Sequence, residues 1–186
     1  RDRFPNFLIL GVNLRKSGEN GNANPAQNGT MPVMASKYGT RFTKMAKTDV
    51  MPVAPPSIQI IKDTTVGALR TVKLSVLPQR QVNRLEVFNG DTHIEACTVN
   101  GISLPKPYLE TRKNNRLVTH FISENDPTTI KLSFKKIDGL TLRFHESSND
   151  LLTNPKYKVP NRPVGSIPMP FVLNDAVMCI KTLTLE

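Results

Sequence analysis

At 186 residues, the chain is long enough for one sizeable core, or for one domain with an appendage. Hydrophobic residues make up 38% of it and Trp is absent, so we expect part of the chain to lie outside the core. The net charge of +10 would suit a polyanionic partner, but no nucleic-acid motif, basic helix or aromatic platform accompanies it, which makes nucleic acid an unfavoured partner. No apolar run reaches the roughly 18 residues that a membrane helix needs, and the start lacks the pattern of a signal peptide.

The first third of the chain has little periodic pattern. One short apolar run, Phe7–Leu10, precedes the Gly/Asn-rich stretch Ser17–Thr30, whose composition is typical of loop or disorder. The Pro-rich stretch Met51–Pro56 is typical of a semi-rigid linker. We therefore predict an irregular, partly disordered lead-in over residues 1–56 and a separate domain over residues 57–186.

From Ser57 onward the apolar residues recur with a period of two, separated by turn signals. Asn89–Asp91 predicts a hairpin turn, Asn100-Gly101 a second tight turn, and Pro105–Asn115 an irregular connection. No segment has a convincing helical stripe, so we predict an all-β fold, an antiparallel β-sandwich that is Ig-like or jelly-roll-like. Strands are predicted at Ser57–Lys62, Leu69–Leu77, Arg84–Phe88, Ile94–Val99, Ile102–Leu104, Arg116–Ile122, Thr129–Phe134 and Leu140–His145.

The stretch Leu142–Asp175 combines a polar cluster, His145–Asp150, with several prolines. Ser, Asn and Asp side chains bond to nearby backbone and stabilise turns, so an architectural role is favoured over a binding surface; a short helical turn within Ser148–Asn154 is an option. The prolines would steer an extended segment toward the apolar Phe171–Leu173.

The residues that could carry chemistry do not form a known motif. His145-Glu146 resembles the start of the zinc-protease helix motif, but Asn149 stands where its second His is required. No serine has the glycines of a nucleophile elbow, and carboxylate pairs such as Glu146 with Asp150 more often cap turns than catalyse. We therefore predict no catalytic residue, no metal and no cofactor. The candidate binding surface comprises His120, Asn125, Asp126, His145, Glu146, Asn149, Asp150 and Arg162.

The two cysteines, Cys97 and Cys179, fall on separate predicted strands. They could pair in an oxidising compartment, or they could be free thiols packed as small hydrophobic side chains. Cysteine content leaves the redox compartment open.

Long segments of the second part of the chain resemble a known family. These are LSVLPQRQVNRLEV, VNGISL, RLVTHFISENDPTTIKLSF, HESSNDLLTNPKYKVPNRP and IPMPFVLNDAVMCIKTLTLE. They resemble the C-terminal region of membrane-anchored zinc aminopeptidases of the vacuolar membrane protease type, peptidase family M twenty-eight, in Bacteroidetes-like bacteria. The similarity covers about Ser57 to Glu186.

In that family a catalytic domain with two zinc ions precedes several membrane helices and a non-catalytic β-rich domain on the far side. The resemblance implies that this chain matches only the last part, lies on the extracytoplasmic side, and has the parent's other domains or a peptide as partners. No zinc ligand or catalytic acid of the family has a counterpart here. The stretches Ser17–Thr30 and Lys37–Lys47 depart from the family pattern, and His145 stands where an aromatic residue is expected.

Two other functions stay open. One is a carbohydrate- or polyanion-binding module that uses the basic segment Arg1–Lys62. The other is a self-sufficient metal-dependent hydrolase that uses His120, His145 and nearby carboxylates.

Overall fold

A computed structural model describes residues 52–112, 115–157, 159–162, 164–165, 167 and 175–186, together with the backbone of three short strands nearer the N-terminus. By their contacts, the described residues divide into two compact units. Pro52–Ser148 and Met178–Glu186 belong to the first unit, and the described residues of Asn149–Val177 belong to the second.

The described elements are almost all strands, which confirms the predicted all-β class. One short helix, α1 (Lys106–Thr111), and a single 3₁₀ turn (Lys136–Asp138) interrupt them. The strands are β1 (Leu8–Gly11), β2 (Thr30–Pro32), β3 (Phe42–Lys44), β4 (Ser57–Val66), β5 (Leu69–Leu77), β6 (Arg84–Phe88), β7 (Ala96–Val99), β8 (Ile102–Ser103), β9 (Arg116–Phe121), β10 (Thr128–Lys135), β11 (Leu140–Ser148) and β12 (Ala176–Leu185).

Two five-stranded antiparallel sheets carry the core, in the orders β4-β5-β10-β7-β8 and β1-β12-β11-β6-β9; β2 and β3 pair separately. We call the first of them sheet I and the second sheet II. In β5 the residues Val72, Leu74 and Val76 are fully buried, while the intervening Lys73 is exposed. This alternation puts every second side chain of a strand on the inner face.

The inner faces of both sheets supply one hydrophobic core. Phe134 and Phe144, the largest buried side chains, come from sheet I and sheet II respectively. Burial of a large apolar side chain contributes about 1.5–3 kcal/mol. The core is therefore what holds the two sheets together.

The pairing of strands differs from the predicted hairpin at Asn89–Asp91. β6 pairs with β11 and β9 in sheet II, whereas β7 pairs with β10 and β8 in sheet I. The turn therefore crosses from one sheet to the other, so the hairpin prediction was wrong. The Asn100-Gly101 turn does join a hairpin, β7 with β8, and both of its residues have positive φ, 48° and 83°.

The strand predictions hold with changes in length. The bounds of β5 and β6 are those predicted, while β4 and β11 extend further toward the C-terminus than expected. The connection predicted to be irregular contains α1, whose Pro107 lies in the first turn, where a missing N–H costs least. The apolar segment expected at Phe171–Leu173 lies outside the described residues.

The second unit contains the paired strands β2 and β3, and its described residues 149–157 form turns and bends. Asp150 begins one of them, since its carbonyl oxygen accepts from the N–H groups of Thr153 and Asn154, at 3.2 and 2.9 Å. The N–H of Leu151 donates to the carbonyl oxygen of Asp175 at 3.0 Å. This is the short turn that the polar cluster suggested, without a regular helix.

Among the described residues, no helix has the length and apolar character that a membrane crossing requires.

Candidate functional site

A buried carboxylate lies on the inner face of sheet II, where β11 ends. Glu146 has the same parity as Leu142 and Phe144, so its side chain points into the core, and it is 0% exposed. The antiparallel register puts it beside Leu85 of β6, and Leu85 beside His120 of β9. Glu146 and His120 therefore share a row, two strands and roughly 10 Å apart.

The Glu146 carboxylate is incompletely satisfied. Neither of its oxygens has a hydrogen bond to any residue that the structure describes. Burial raises its pKa to about 7, and the positive charges of Arg80 and Lys181 offset part of this effect. The group therefore releases its proton near neutral pH instead of near its ordinary value of 4.5.

The two cations near Glu146 make their hydrogen bonds elsewhere. Arg80 donates to the Glu146 backbone carbonyl at 3.1 Å and to the Ser148 hydroxyl. Lys181 donates from Nζ to the carbonyl oxygen of Pro56 at 3.0 Å. The cations therefore stabilise the end of β11 and the entry to β4, and they act on the carboxylate through space.

The thiol of Cys179 also belongs to this inner cluster. Cys179 and Lys181 have the same parity in β12 as Leu183 and Leu185, which pack in the core. Burial raises the pKa of Cys179, while Arg80 lowers it. A buried thiol that stays protonated is a poor nucleophile.

The opposite face of sheet II holds a second buried carboxylate, Glu86, which is 5% exposed. Arg84 donates to its Oε1 at 2.5 Å, and Arg116 donates to the same oxygen at 3.0 Å. Burial acts to raise the pKa of Glu86, but the hydrogen bonds and charges of Arg84 and then Arg116 outweigh it and lower the pKa. Unlike Glu146, this carboxylate is paired and ionised.

His145 lies next to Glu86 in the register and on the same face. Its ring packs on Phe88, with centroids 4.6 Å apart and planes tilted by 42°. Burial lowers its pKa to about 4, the negative charge of Glu86 opposes the shift, and Arg143 adds to it. Nδ1 has no hydrogen-bond partner among the described residues, and the imidazole is neutral at physiological pH.

The structure therefore separates His145 and Glu146, which are adjacent in sequence but lie on opposite faces of sheet II. His120 shares the inner face with Glu146 and is half-buried. A single surface containing all three side chains does not form.

The predicted residues of the β9–β10 loop make a turn. Asn125 has φ of 60°, and its Oδ1 accepts from the N–H of Val82 at 3.0 Å while its amide donates to Gln81 at 3.1 Å. The Asp126 N–H donates to the carbonyl oxygen of Ser123 at 3.1 Å. These contacts hold the loop against the start of β6.

The remaining predicted residues lie in the second unit. The Asp150 carboxylate accepts from the Asn154 amide at 2.9 Å, and Asn149 is exposed. Arg162 makes a two-pronged ion pair with Asp175, with Nε at 2.9 Å from Oδ2 and Nη2 at 2.7 Å from Oδ1. Asp150 and Arg162 thus have structural partners within their own unit.

The part of the chain that the structure describes contains no group of three or more His, Cys, Asp or Glu side chains placed to hold a metal ion. An open cavity of about 670 Å³ lies at the end of the sandwich where β6 ends and β11 begins. Asp91, His93, Asp138 and Glu186 are among its lining residues, and none of the predicted surface residues lines it.

Sequence reasoning missed the charged groups that decide the behaviour of Glu146 and Glu86. Arg80 lies in a strand-breaking Pro-Gln-Arg turn, and Lys181 in a strand whose bounds were not predicted. The sequence did contain a signal for the pairing of Glu86. A carboxylate in the middle of the apolar RLEVF strand requires a partner when that strand is central.

In comparisons with known proteins, no family model, no curated protein and no solved structure matches this chain.

Proposed function

We propose that this chain is a non-catalytic β-sandwich module with a structural or partner-binding role. In this proposal it is the extracytoplasmic closing domain of a membrane-anchored protein that resembles zinc aminopeptidases of peptidase family M twenty-eight. The proposal depends mainly on one observation, which is that three of the side chains most able to do chemistry, Glu146, Cys179 and His145, are buried.

Exposure argues against a substrate reaching these groups. Glu146 is 0% exposed, Cys179 2% and His145 4%. A general acid or base must come within about 3 Å of the atom that it protonates or deprotonates, directly or through one water. Groups buried to this extent influence the stability of the fold and do not contact a substrate.

The ionisation of these groups points the same way. Burial raises the pKa of Cys97 to about 12, although Arg112 opposes the shift, so its thiol is protonated at neutral pH. The pKa of His145 near 4 leaves it neutral, with its ring held against Phe88. The carboxylate beside His145, Glu86, accepts hydrogen bonds from Arg84 and Arg116. His145 Nδ1 has no hydrogen-bond partner among the described residues, so the two groups are not joined as a catalytic pair would be.

One of the two edge strands of sheet I, β4, offers a surface for a peptide partner. β4 has ten residues and, among the described strands, is hydrogen-bonded only to β5. An exposed edge of this kind can pair with an extended peptide, which adds as a further strand. The register shift between Ile60 and Lys62 divides the edge into two halves, so a peptide would pair with one half at a time.

Metal content and peptidase activity test the non-catalytic role. The purified chain is expected to contain substoichiometric zinc and to show no chelator-sensitive aminopeptidase activity. Stoichiometric zinc with an activity that chelation abolishes would overturn the proposal. Should an activity be found, His120→Asn and His145→Asn, measured beside the thermal unfolding of each variant, show whether these histidines carry it.

The reading frame upstream of Arg1 tests the proposed parent. A zinc peptidase domain followed by membrane helices supports the proposal. A frame that encodes neither overturns the aminopeptidase context, while the β-sandwich and its buried groups would be unaffected.

A further inference from the structure

Three lysines form a row across sheet I. The antiparallel registers place Lys62 of β4 beside Lys73 of β5, and Lys73 beside Lys131 of β10. All three side chains are exposed, since the residues flanking Lys73, Val72 and Leu74, are the ones that enter the core. Directly opposed side chains have Cβ atoms about 5 Å apart, so the three lysines span roughly 10 Å. We call them the lysine row.

The surroundings of the lysine row are hydroxyl-rich. Lys131 is in register with Thr98, and Thr98 with Ser103, so the row continues across all five strands with two hydroxyl side chains. The rows on either side consist of Thr64, Thr71, Ser133 and Ala96 on one side, and Gln59, Ser75 and Thr129 on the other. None of these positions carries a carboxylate.

The lysine row lowers the stability of the chain when no ligand is bound. Like charges directly opposite each other on neighbouring strands are destabilising, and here two such pairs share Lys73. Within the described parts of the chain, none of the three ammonium groups has an ion pair or a hydrogen bond that would offset the repulsion. A ligand with several negative charges would remove this repulsion when it binds.

We propose that the lysine row is a binding site for a linear anionic polysaccharide, whose sulfate or carboxylate groups contact Lys62, Lys73 and Lys131 in succession. Neighbouring hydroxyls that are at least partly exposed, among them those of Ser75, Thr98, Ser103 and Thr129, donate to and accept from the sugar hydroxyls. The site differs from the basic N-terminal segment that the sequence pointed to, except at Lys62. The polysaccharide site also goes beyond the proposed structural role, and its test is independent of the tests of that role.

The face fits other polyanions less well. Single-stranded nucleic acid is held by aromatic side chains on which bases stack, and the lysine row and its two neighbouring rows contain none. A membrane surface is bound by apolar side chains that enter the lipid beside the basic ones, and these three rows contain no large apolar side chain. A flat row of point charges with hydroxyls beside it suits a sugar polymer.

Binding of the full chain to sulfated dextran, measured against salt concentration, tests the proposal. The variant Lys62→Gln/Lys73→Gln/Lys131→Gln is expected to lose at least tenfold in affinity at low salt. Its slope of log affinity against log salt should fall by on the order of one for each lysine removed. Neutral dextran is expected not to bind.

The matched control removes the same amount of charge elsewhere. Its three substitutions, all to Gln, are at the exposed residues Lys106, Lys136 and Lys156. This control is expected to keep most of the affinity. Equal losses in the two variants would show that only net charge matters and would overturn the proposal.

Three further results bear on the proposal. Unchanged affinity in the lysine-row variant overturns it, and so does tighter binding of a single-stranded oligonucleotide or of anionic lipid vesicles through the same lysines. Thermal unfolding shows whether a loss of affinity in the lysine-row variant comes from misfolding. We expect this variant to melt at a higher temperature than the wild type at low salt, because the repulsion between the lysines is removed. A lower melting temperature would contradict the repulsion on which the site is inferred.

Discussion

The substitution Glu146→Gln replaces a fully buried carboxylate with a neutral group of the same shape. In the folded chain the pKa of Glu146 is about 7, whereas its ordinary value is 4.5. Because the folded pKa is the higher one, folding favours the protonated form. The associated stability is complete below pH 4.5 and is lost as the pH rises through about 7.

The size of the effect follows from the two pKa values. One pKa unit corresponds to about 1.4 kcal/mol, so the difference between 4.5 and about 7 corresponds to roughly 3 kcal/mol at pH 8.5. We therefore expect Glu146→Gln to match the wild type near pH 4 and to exceed its free energy of unfolding by up to about 3 kcal/mol at pH 8.5. The neutral amide leaves Arg80 and Lys181 with their existing hydrogen bonds.

Urea denaturation followed by far-ultraviolet circular dichroism at several pH values measures this difference; the chain has no Trp to serve as a fluorescent probe. The other titrating groups are common to both proteins, so their contributions largely cancel when the two curves are subtracted. The exception is Cys179, whose pKa is raised by burial and also by the charge of Glu146. Glu110→Gln serves as the charge control, because Glu110 is exposed and in an i,i+4 pair with Lys106. Its effect should stay within about 0.5 kcal/mol.

A stability difference that is independent of pH would refute the reasoning. A variant less stable than the wild type at pH 8.5 would refute it more strongly. That result would mean that the charges of Arg80 and Lys181 stabilise the ionised carboxylate by more than burial costs.

Three more expectations concern other buried side chains. His145→Gln should flatten the acid limb of the stability curve, because the depressed pKa near 4 contributes stability that is present above pH 6.5 and lost as the pH falls through about 4; an unchanged limb would exclude His145 as its source. Phe144→Ala should lower the free energy of unfolding by about 3–5 kcal/mol, as urea titration would show, and a loss below about 1 kcal/mol would contradict its place in the core. Cys97 and Cys179, both free and 2% exposed, should react with a thiol reagent only in denaturant; rapid labelling of the native chain would contradict their burial.

Local pattern predicted the strands well where one face is buried. The alternation in Leu69–Leu77 matches β5 residue for residue, since the two-residue period of a strand depends only on the chain itself. The same reasoning failed at Asn89–Asp91, where good turn chemistry joins strands of different sheets. A turn motif specifies the local backbone and leaves the partner of the next strand open.

Among the candidate residues, too, local contacts were predicted from the sequence, whereas contacts with distant segments were not. Asp150 caps a turn through hydrogen bonds from Thr153 and Asn154, and its polar cluster predicted this role. The state of Glu146 depends on Arg80, which lies in the turn before β6, and on Lys181, which lies in β12. No spacing in the sequence indicates that these three side chains meet.

The amino-acid sequence by itself determined the class of the fold and the direction of many side chains, including Lys73 outward and Leu74 inward, because alternation along a strand is a local property. Tertiary structure decided which strands are neighbours. The β4–β5 hairpin puts Lys62 beside Lys73, pairing with the distant β10 adds Lys131 to the row, and the packed sandwich buries Glu146 in the core. These features depend on the register between strands, and a period of two contains no information about register.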